Sequence, residues 1–194
     1  MENVPFEVCE SFSEEITPSS SEALVARMVE YRYRDIHRVV LDVSSPGGQV
    51  ESAMSIYRAL RSVPFELVTR NVGEVASMGN LVFLAGDRRF ATPEATFLLH
   101  PIAFDGIVRR DASDLRRART KLERTCGSPS AMIELDRGIV RLEREDQEVQ
   151  SILKQRTKLT GPEASALVRE GKPVSADYAL AVGIVHGIIP AGTS

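Results

Sequence analysis

A run of aliphatic residues, Val39-Val40-Leu41-Asp42-Val43, passes directly into Ser44-Ser45-Pro46-Gly47-Gly48 and then into the helix-favouring stretch Val50 to Leu60. Apolar side chains on successive positions suit a strand buried on both faces, as in a parallel sheet. The Pro-Gly-Gly that follows cannot continue the strand and opens a βα unit. The same rhythm recurs. Phe65 to Val72 reads as a strand, followed by Gly73 and a helix starting near Ser77. Phe90-Ala91-Thr92 and Thr96 to His100 read as strands around the Pro93 turn. Upstream, Phe6 to Cys9 is a short strand and Ser19 to Tyr31 a helix capped by a serine run. Strands alternating with helices predict an α/β domain of layered βα repeats on a parallel or mostly parallel sheet.

The middle of the chain changes character. From Asp111 to Leu159 it is charged and helix-favouring, interrupted at Cys126-Gly127-Ser128-Pro129-Ser130. Met132, Leu135, Ile139, Leu142, Val149 and Leu153 follow a three-four spacing, with polar Asp146 where the next apolar residue is due. This narrow seam suits either a neighbouring subunit or the helix's own domain. Arg109, Arg110, Arg116, Arg117 and Arg119 read as a solvated face. After Leu159 the βα pattern returns. Thr160-Gly161-Pro162-Glu163 has the spacing of a capping box for a helix over Glu163 to Arg169. Ser175 caps a helix through Ala181, and Gly183 to Ile189 reads as a closing strand.

A chain of 194 residues, 43% hydrophobic, is enough for one domain with a sizeable core. Twenty-four basic against 27 acidic side chains give a formal charge of -3, no excess with which to hold a nucleic-acid backbone. Cys9 and Cys126 form no C-x-x-C spacing, so neither a metal site nor a disulfide framework is expected. No window approaches the ~18 apolar residues of a membrane span, and the opening residues lack the basic-then-apolar pattern of a secretory signal. A cytoplasmic protein with reduced thiols is the expectation.

Three pieces of sequence carry chemistry. In Val75-Ala76-Ser77-Met78-Gly79, a serine between small residues at a strand-to-helix junction leaves its hydroxyl open to attack a substrate. The same serine also suits an ordinary helix cap, and Val75 departs from a Gly-x-Ser-x-Gly elbow. His100 ends the apolar run Leu98-Leu99-His100-Pro101, where an imidazole is costly to bury without a partner. Of the chain's three histidines, it is the candidate general base. His37 lies in a polar stretch and His186 in the closing strand. In Ser45-Pro46-Gly47-Gly48, paired glycines let backbone N–H groups face an oxyanion, joined by the N–H of Met78.

Ser-Pro-Gly-Gly at 45–48, Ala-Ser-Met-Gly at 76–79 and Leu-His-Pro at 99–101 occur in the order and at the intervals seen in the proteolytic subunits of Clp proteases. The chain resembles that family (ClpP), which shares its fold class with the crotonases. Ile56-Tyr57, Leu84-Ala85-Gly86, Arg89-Phe90-Ala91 and the closing Ala181-Val182-Gly183-Ile184-Val185 extend the likeness across about four-fifths of the chain, from Phe6 to Ile189. It is weakest between Phe104 and Leu159, where a helical handle insertion, approximately 105–159, is expected to protrude from a single domain over 1–194.

The resemblance implies a serine endopeptidase. Ser77 matches the nucleophile and His100 the base, while Gly47, Gly48 and Met78 match the oxyanion-binding region. The family's aspartate follows a Thr-Gly pair; counting from Thr160-Gly161 lands on Glu170, with a bare Ser-His dyad as the alternative. The resemblance also implies a homo-oligomeric ring, single or stacked, acting on peptides or unfolded proteins with an AAA+ ATPase partner and no cofactor or metal. Two rival readings are a catalytically silent structural or regulatory ring subunit and a crotonase-type acyl-CoA enzyme. The lysines lie outside the three motifs, which argues against a Ser-Lys pair.

Overall fold

The computed structural model describes residues 7–34, 36–102, 111–124 and 128–190. Phe6, Phe104, Arg109, Arg110, Cys126 and Gly127 lie outside the described residues. In chain order the elements are β1 (Glu7–Phe12), α1 (Pro18–Arg32), β2 (Arg38–Ser45), α2 (Val50–Arg61), β3 (Glu66–Ala76), α3 (Gly79–Leu84), β4 (Arg88–Ala91) and β5 (Thr96–Leu98). Then follow α4 (Ala112–Arg124), α5 (Pro129–Arg156), α6 (Gly161–Glu170), β6 (Pro173–Ser175), α7 (Ala176–Ala181) and β7 (Gly187–Ile188).

The alternation expected from the sequence builds a parallel sheet in the order β1-β2-β3-β4-β7. Val39, Leu41, Val43 and Leu67 point to one face and, with Leu24 and Met28 of α1 and Ile56 and Leu60 of α2, form one buried core. The opposite face is more polar. There Arg70 of β3 forks onto Asp42 of β2 through two hydrogen bonds of 2.5 and 2.8 Å, a bidentate pairing stronger than a neutral hydrogen bond.

β3 is longer than its sequence pattern predicts. It does not stop at Gly73 but runs to Ala76, because it changes partners along its length. Val68 to Asn71 pair with β4, whereas Glu74 to Ala76 pair with β5. Buried Asn71 sits at the divergence. Its amide donates to Thr96 O at 2.9 Å and its side-chain oxygen accepts the Gly73 N–H at 3.0 Å. On the other side, the β2–β3 register shifts between Val43 and Ser45, so that Ser45 faces Val75. Both adjustments bring the 45–48 loop and the end of β5 to the junction after Ala76.

Two other differences have local causes. The closing strand is only Gly187–Ile188, because Gly183 turns at φ +74 against Lys158 and Ile184-Val185 form a buried loop. That loop is held by Arg89, itself 3% exposed, whose guanidinium donates to Ile184 O, Gly183 O, Gly86 O and Arg156 O. Burial, with Arg156 and Arg61 nearby, pushes the Arg89 pKa down to about 10. His186 packs within the chain, its Nδ1 accepting the Arg89 backbone N–H at 3.1 Å.

The helical middle is a hairpin, α4 against α5, interrupted near Ser128 as the sequence suggests. Its apolar seam serves the chain's own core: Ile139, Leu142 and Leu153 are buried, and Leu135 and Val149 pack against them. The apolar residues that α5 leaves exposed are Ile133 and Val140, off the seam. Arg116 pairs with Glu143, Arg117 with Asp114, and Arg119 with Asp136 and Glu123, so these arginines form an ion-paired solvated face. α6 begins with the capping box: Thr160 accepts from Glu163 N, and the Glu163 carboxylate returns to Thr160 N at 2.8 Å. Among the described residues no helix is long and apolar enough to cross a membrane.

Candidate active site

Ser77 is neither in a helix nor its cap. It opens the two-residue turn, Ser77-Met78, between β3 and α3, with φ +52, and is the one non-glycine residue with positive φ among those described. An L-residue there is strained by roughly 1–3 kcal/mol, so the surroundings must hold it. They do so through main-chain bonds. The Ser77 N–H donates to Leu98 O at 2.7 Å, anchoring the turn to the end of β5. Asn80, 4% exposed, donates from its amide to Ser77 O and Leu98 O, both at 3.0 Å. The serine turn and the strand leading into His100 are thus clamped by one side chain. Sequence reasoning missed Asn80; a polar residue directly before the apolar run Leu81 to Ala85 was the available signal.

The glycine loop closes over the other side of the turn. A Cβ on Gly47 (φ +91) would stand 2.6 Å from Ser77 Cβ, 2.7 Å from Ala76 O and 2.9 Å from Met78 N. A Cβ on Gly48 (φ +148) would stand 2.2 Å from Ile16 O. Both glycines are therefore required, by different neighbours. Ile16 N–H donates to Gly47 O and Gln49 N–H to Ile16 O, fixing the loop to the segment before α1. The Gly47 N–H does not face outward as a donor, because it is bonded to Ser45 Oγ at 3.2 Å, and Ser45 in turn donates to Glu14 O. Gly47 contributes the room its missing side chain leaves, while the N–H groups of Gly48 and Met78 have no bonded acceptor among the described residues.

Ser77 and His100 line one narrow cavity of about 20 Å³. His100 lies just past β5, and its Nδ1 is 2.9 Å from Pro101 O. A carbonyl only accepts, so this contact puts the proton on Nδ1 and leaves Nε2 with the lone pair a general base needs. The wall opposite comes from α3, α5 and α6, through Leu81, Leu84, Val149, Leu153 and Val168.

Glu170 is exposed at the end of α6, and its side chain does not line the cavity. The residue after it, Gly171, turns at φ +58 with its Cβ direction 3.7 Å from His100 Cβ, so the end of α6 passes beside His100. The carboxylate that does line the cavity is Asp146. It is half-buried and accepts the Ile102 N–H at 3.3 Å. Burial raises its pKa, and Asp111, Glu145 and Glu143 push in the same direction. Its signal in the sequence was the polar interruption of the α5 seam. Among the described residues no cluster of His, Cys, Asp and Glu could hold a metal ion.

Comparison with known proteins agrees with this architecture. Residues 10–135 match the Clp protease family. A Clp protease proteolytic subunit 1 from Leifsonia xyli is 35% identical over 89 residues, 44% of this chain and 45% of that relative. A proteolytic subunit 3 from Synechococcus is 35% identical over 104 residues, 52% of each chain. The chain thus spans about half the length of the curated relatives it matches. A solved structure of a ClpP1 point mutant from Listeria monocytogenes shares the fold over 95% of this chain and 92% of its own, with a TM-score of 0.77 at 17% identity. Fold and sequence together place the chain in the Clp protease family.

Proposed function

We propose that the chain is a serine endopeptidase with Ser77 as nucleophile, His100 as base and Glu170 as the acid beside it. The observation that carries this reading is the strained Ser77 turn, hydrogen-bonded to the strand that delivers His100 and fronting the same cavity. In this mechanism His100 Nε2 takes the Ser77 proton as Oγ attacks the peptide carbonyl. The N–H groups of Gly48 and Met78 receive the oxyanion, a contribution on the order of 10²–10³ in rate for each donor. As the intermediate collapses, the C–N bond breaks and His100 delivers the proton to the leaving amine. Water then hydrolyses the acyl-serine with His100 again as base.

The relatives' names, ATP-dependent Clp protease proteolytic subunits, support a subunit of an ATP-dependent protease; on the family resemblance, the proposal extends to a ring that acts on peptides or unfolded proteins and works with an ATPase. The exposed Ile133 and Val140 of α5 give such an assembly an apolar contact on the helical hairpin. Sedimentation tests this part, and a monomeric mass at micromolar concentration overturns it.

A second reading, a catalytically silent ring subunit, is favoured by the narrowness of the cavity and the exposure of Glu170. One experiment separates the two. A fluorophosphonate should label the wild type and leave Ser77→Ala unlabelled, with His100→Ala labelled far more slowly. Absence of Ser77-dependent labelling in the assembled protein selects the silent subunit.

A further inference from the structure

The cavity that Ser77 and His100 share has mostly aliphatic walls, and Asp146 is the carboxylate in its lining. Leu81 and Leu84 of α3, Val149 and Leu153 of α5 and Val168 of α6 supply aliphatic walls. Asp146 is the carboxylate among them, one turn before Gln150 on the same face of α5. The Gln150 side-chain carbonyl is already taken by the Ser165 hydroxyl at 3.0 Å. Asp146 accepts one hydrogen bond, the long one from Ile102 N–H, and forms no salt bridge among the described residues. A carboxylate has about four lone-pair sites, so most of its accepting capacity is unused. A purely structural role would be met at lower cost by an apolar residue, since the position continues the Leu142–Val149–Leu153 seam and burying a carboxylate without a partner is unfavourable.

We propose that Asp146 sets the enzyme's specificity: it selects substrates whose residue on the acyl side of the scissile bond carries a cation on an unbranched stem, lysine foremost. This rests on the assignment of Ser77 as nucleophile. The side chain next to the attacked carbonyl must enter the space beside Ser77, and that space is this cavity. The aliphatic walls suit the methylene stem of lysine, and the carboxylate among them suits its terminal cation. The ammonium then reaches the Asp146 oxygens in a poorly solvated setting, where a charge-assisted hydrogen bond is strong. The burial that raises the carboxyl's pKa also strengthens its attraction for a cation.

The test uses two peptidyl diphenyl phosphonates, alike except for a lysine or a leucine side chain at the reacting residue. Each reports through a P–O bond formed by Ser77 Oγ as phenoxide leaves and takes up the serine proton. The wild-type assembly should be labelled faster by the lysine probe. Asp146→Asn keeps an acceptor for Ile102 N–H and removes the charge; it should lower the lysine-to-leucine ratio by roughly ten- to hundredfold, the range of a hydrogen bond to a charged group. Asp146→Leu should reverse the preference. A ratio that stays within about threefold in both variants overturns the proposal, even if both label slowly, because a merely structural aspartate slows the two probes alike. Labelling of Ser77 with wild-type preference for leucine also overturns it and leaves the nucleophile intact. Absence of Ser77 labelling by either probe, with fluorophosphonate also unreactive, removes the underlying assignment and this proposal with it.

Discussion

Replacing Gly47 by alanine tests the geometry of the nucleophile turn directly. The new Cβ would lie 2.6 Å from Ser77 Cβ, 2.7 Å from Ala76 O and 2.9 Å from Met78 N. Two of these three neighbours are backbone atoms, so no side-chain rotation relieves the contact. At φ +91 an alanine is also conformationally strained, by about 1–2 kcal/mol. The loop cannot retreat freely, because Ile16 N–H binds Gly47 O at 2.7 Å and Gly48 has no room beside Ile16. The Ser77 turn must therefore yield, carrying its hydroxyl and the Met78 N–H with it. A displacement approaching 1 Å costs about 10²-fold in a positioned reaction, and loss of an oxyanion donor costs on the order of 10²–10³. Fluorophosphonate labelling should thus fall by roughly a hundredfold or more. Thermal melting should drop by about 2–4 °C for each kcal/mol of strain that remains. Gly161→Ala is the control, since a Cβ there meets nothing within 4 Å; its labelling and melting should be unchanged or slightly improved. If Gly47→Ala labels within a few-fold of wild type and melts at the same temperature, the loop does not press on the nucleophile and the reasoning fails.

Two further outcomes follow from the carboxylates near His100. If Glu170 orients the imidazole during turnover, Glu170→Gln should fold normally and lose up to ~10⁴ in peptide hydrolysis, the loss seen when a triad acid becomes an amide, with Glu170→Asp in between; activity within a few-fold of wild type means that the Pro101 carbonyl suffices. Asp146 should oppose stability at neutral pH. Its folded pKa is raised above the ordinary 3.8, so its contribution is fully present below pH 3.8 and is lost as pH rises through the folded value. Asp146→Asn should accordingly melt higher than wild type at pH 7, with the difference closing toward pH 3.8, and a gap that is constant with pH would refute the assignment of burial as the cause.

What the sequence made legible was local. The β-branched run before Ser44, the double glycine and the Thr160–Glu163 box each specify backbone geometry through their immediate neighbours, and each appears where the pattern put it. The place of Ser77 at a strand-to-helix junction was legible, but its positive φ was not. Its neighbours suit a helix start, yet Leu98 O and Asn80 hold it at positive φ. Those partners come from β5, two strands on, and from the first turn of α3, and the local propensity at Ser77 does not contain them. The extension of β3 past Gly73 has the same origin, because it depends on β5 arriving to pair with Glu74 to Ala76. The α5 seam was correctly periodic, but period alone does not say whether the covering surface belongs to the same chain; here it does.

The two halves of the site are consequently held by different kinds of force. The Ser77 turn, the strand leading into His100 and the glycine loop are joined by main-chain hydrogen bonds between β2, β3, β5 and their connecting turns, where spacing along the chain fixes the geometry closely. The wall opposite is set by how α5 and α6 pack on α3, through aliphatic contacts that tolerate sliding and substitution. The match to the Clp protease family divides along the same line: it covers residues 10–135, which include every motif of the first half, and stops before Asp146, Gln150, Val168 and Glu170. A wall built by packing alone can exchange an aliphatic side chain for a carboxylate without disturbing the strained serine. If Ser77 attacks as proposed, such a design keeps the attacking group constant while the choice of substrate residue changes, and the lysine and leucine phosphonates test that separation at Asp146.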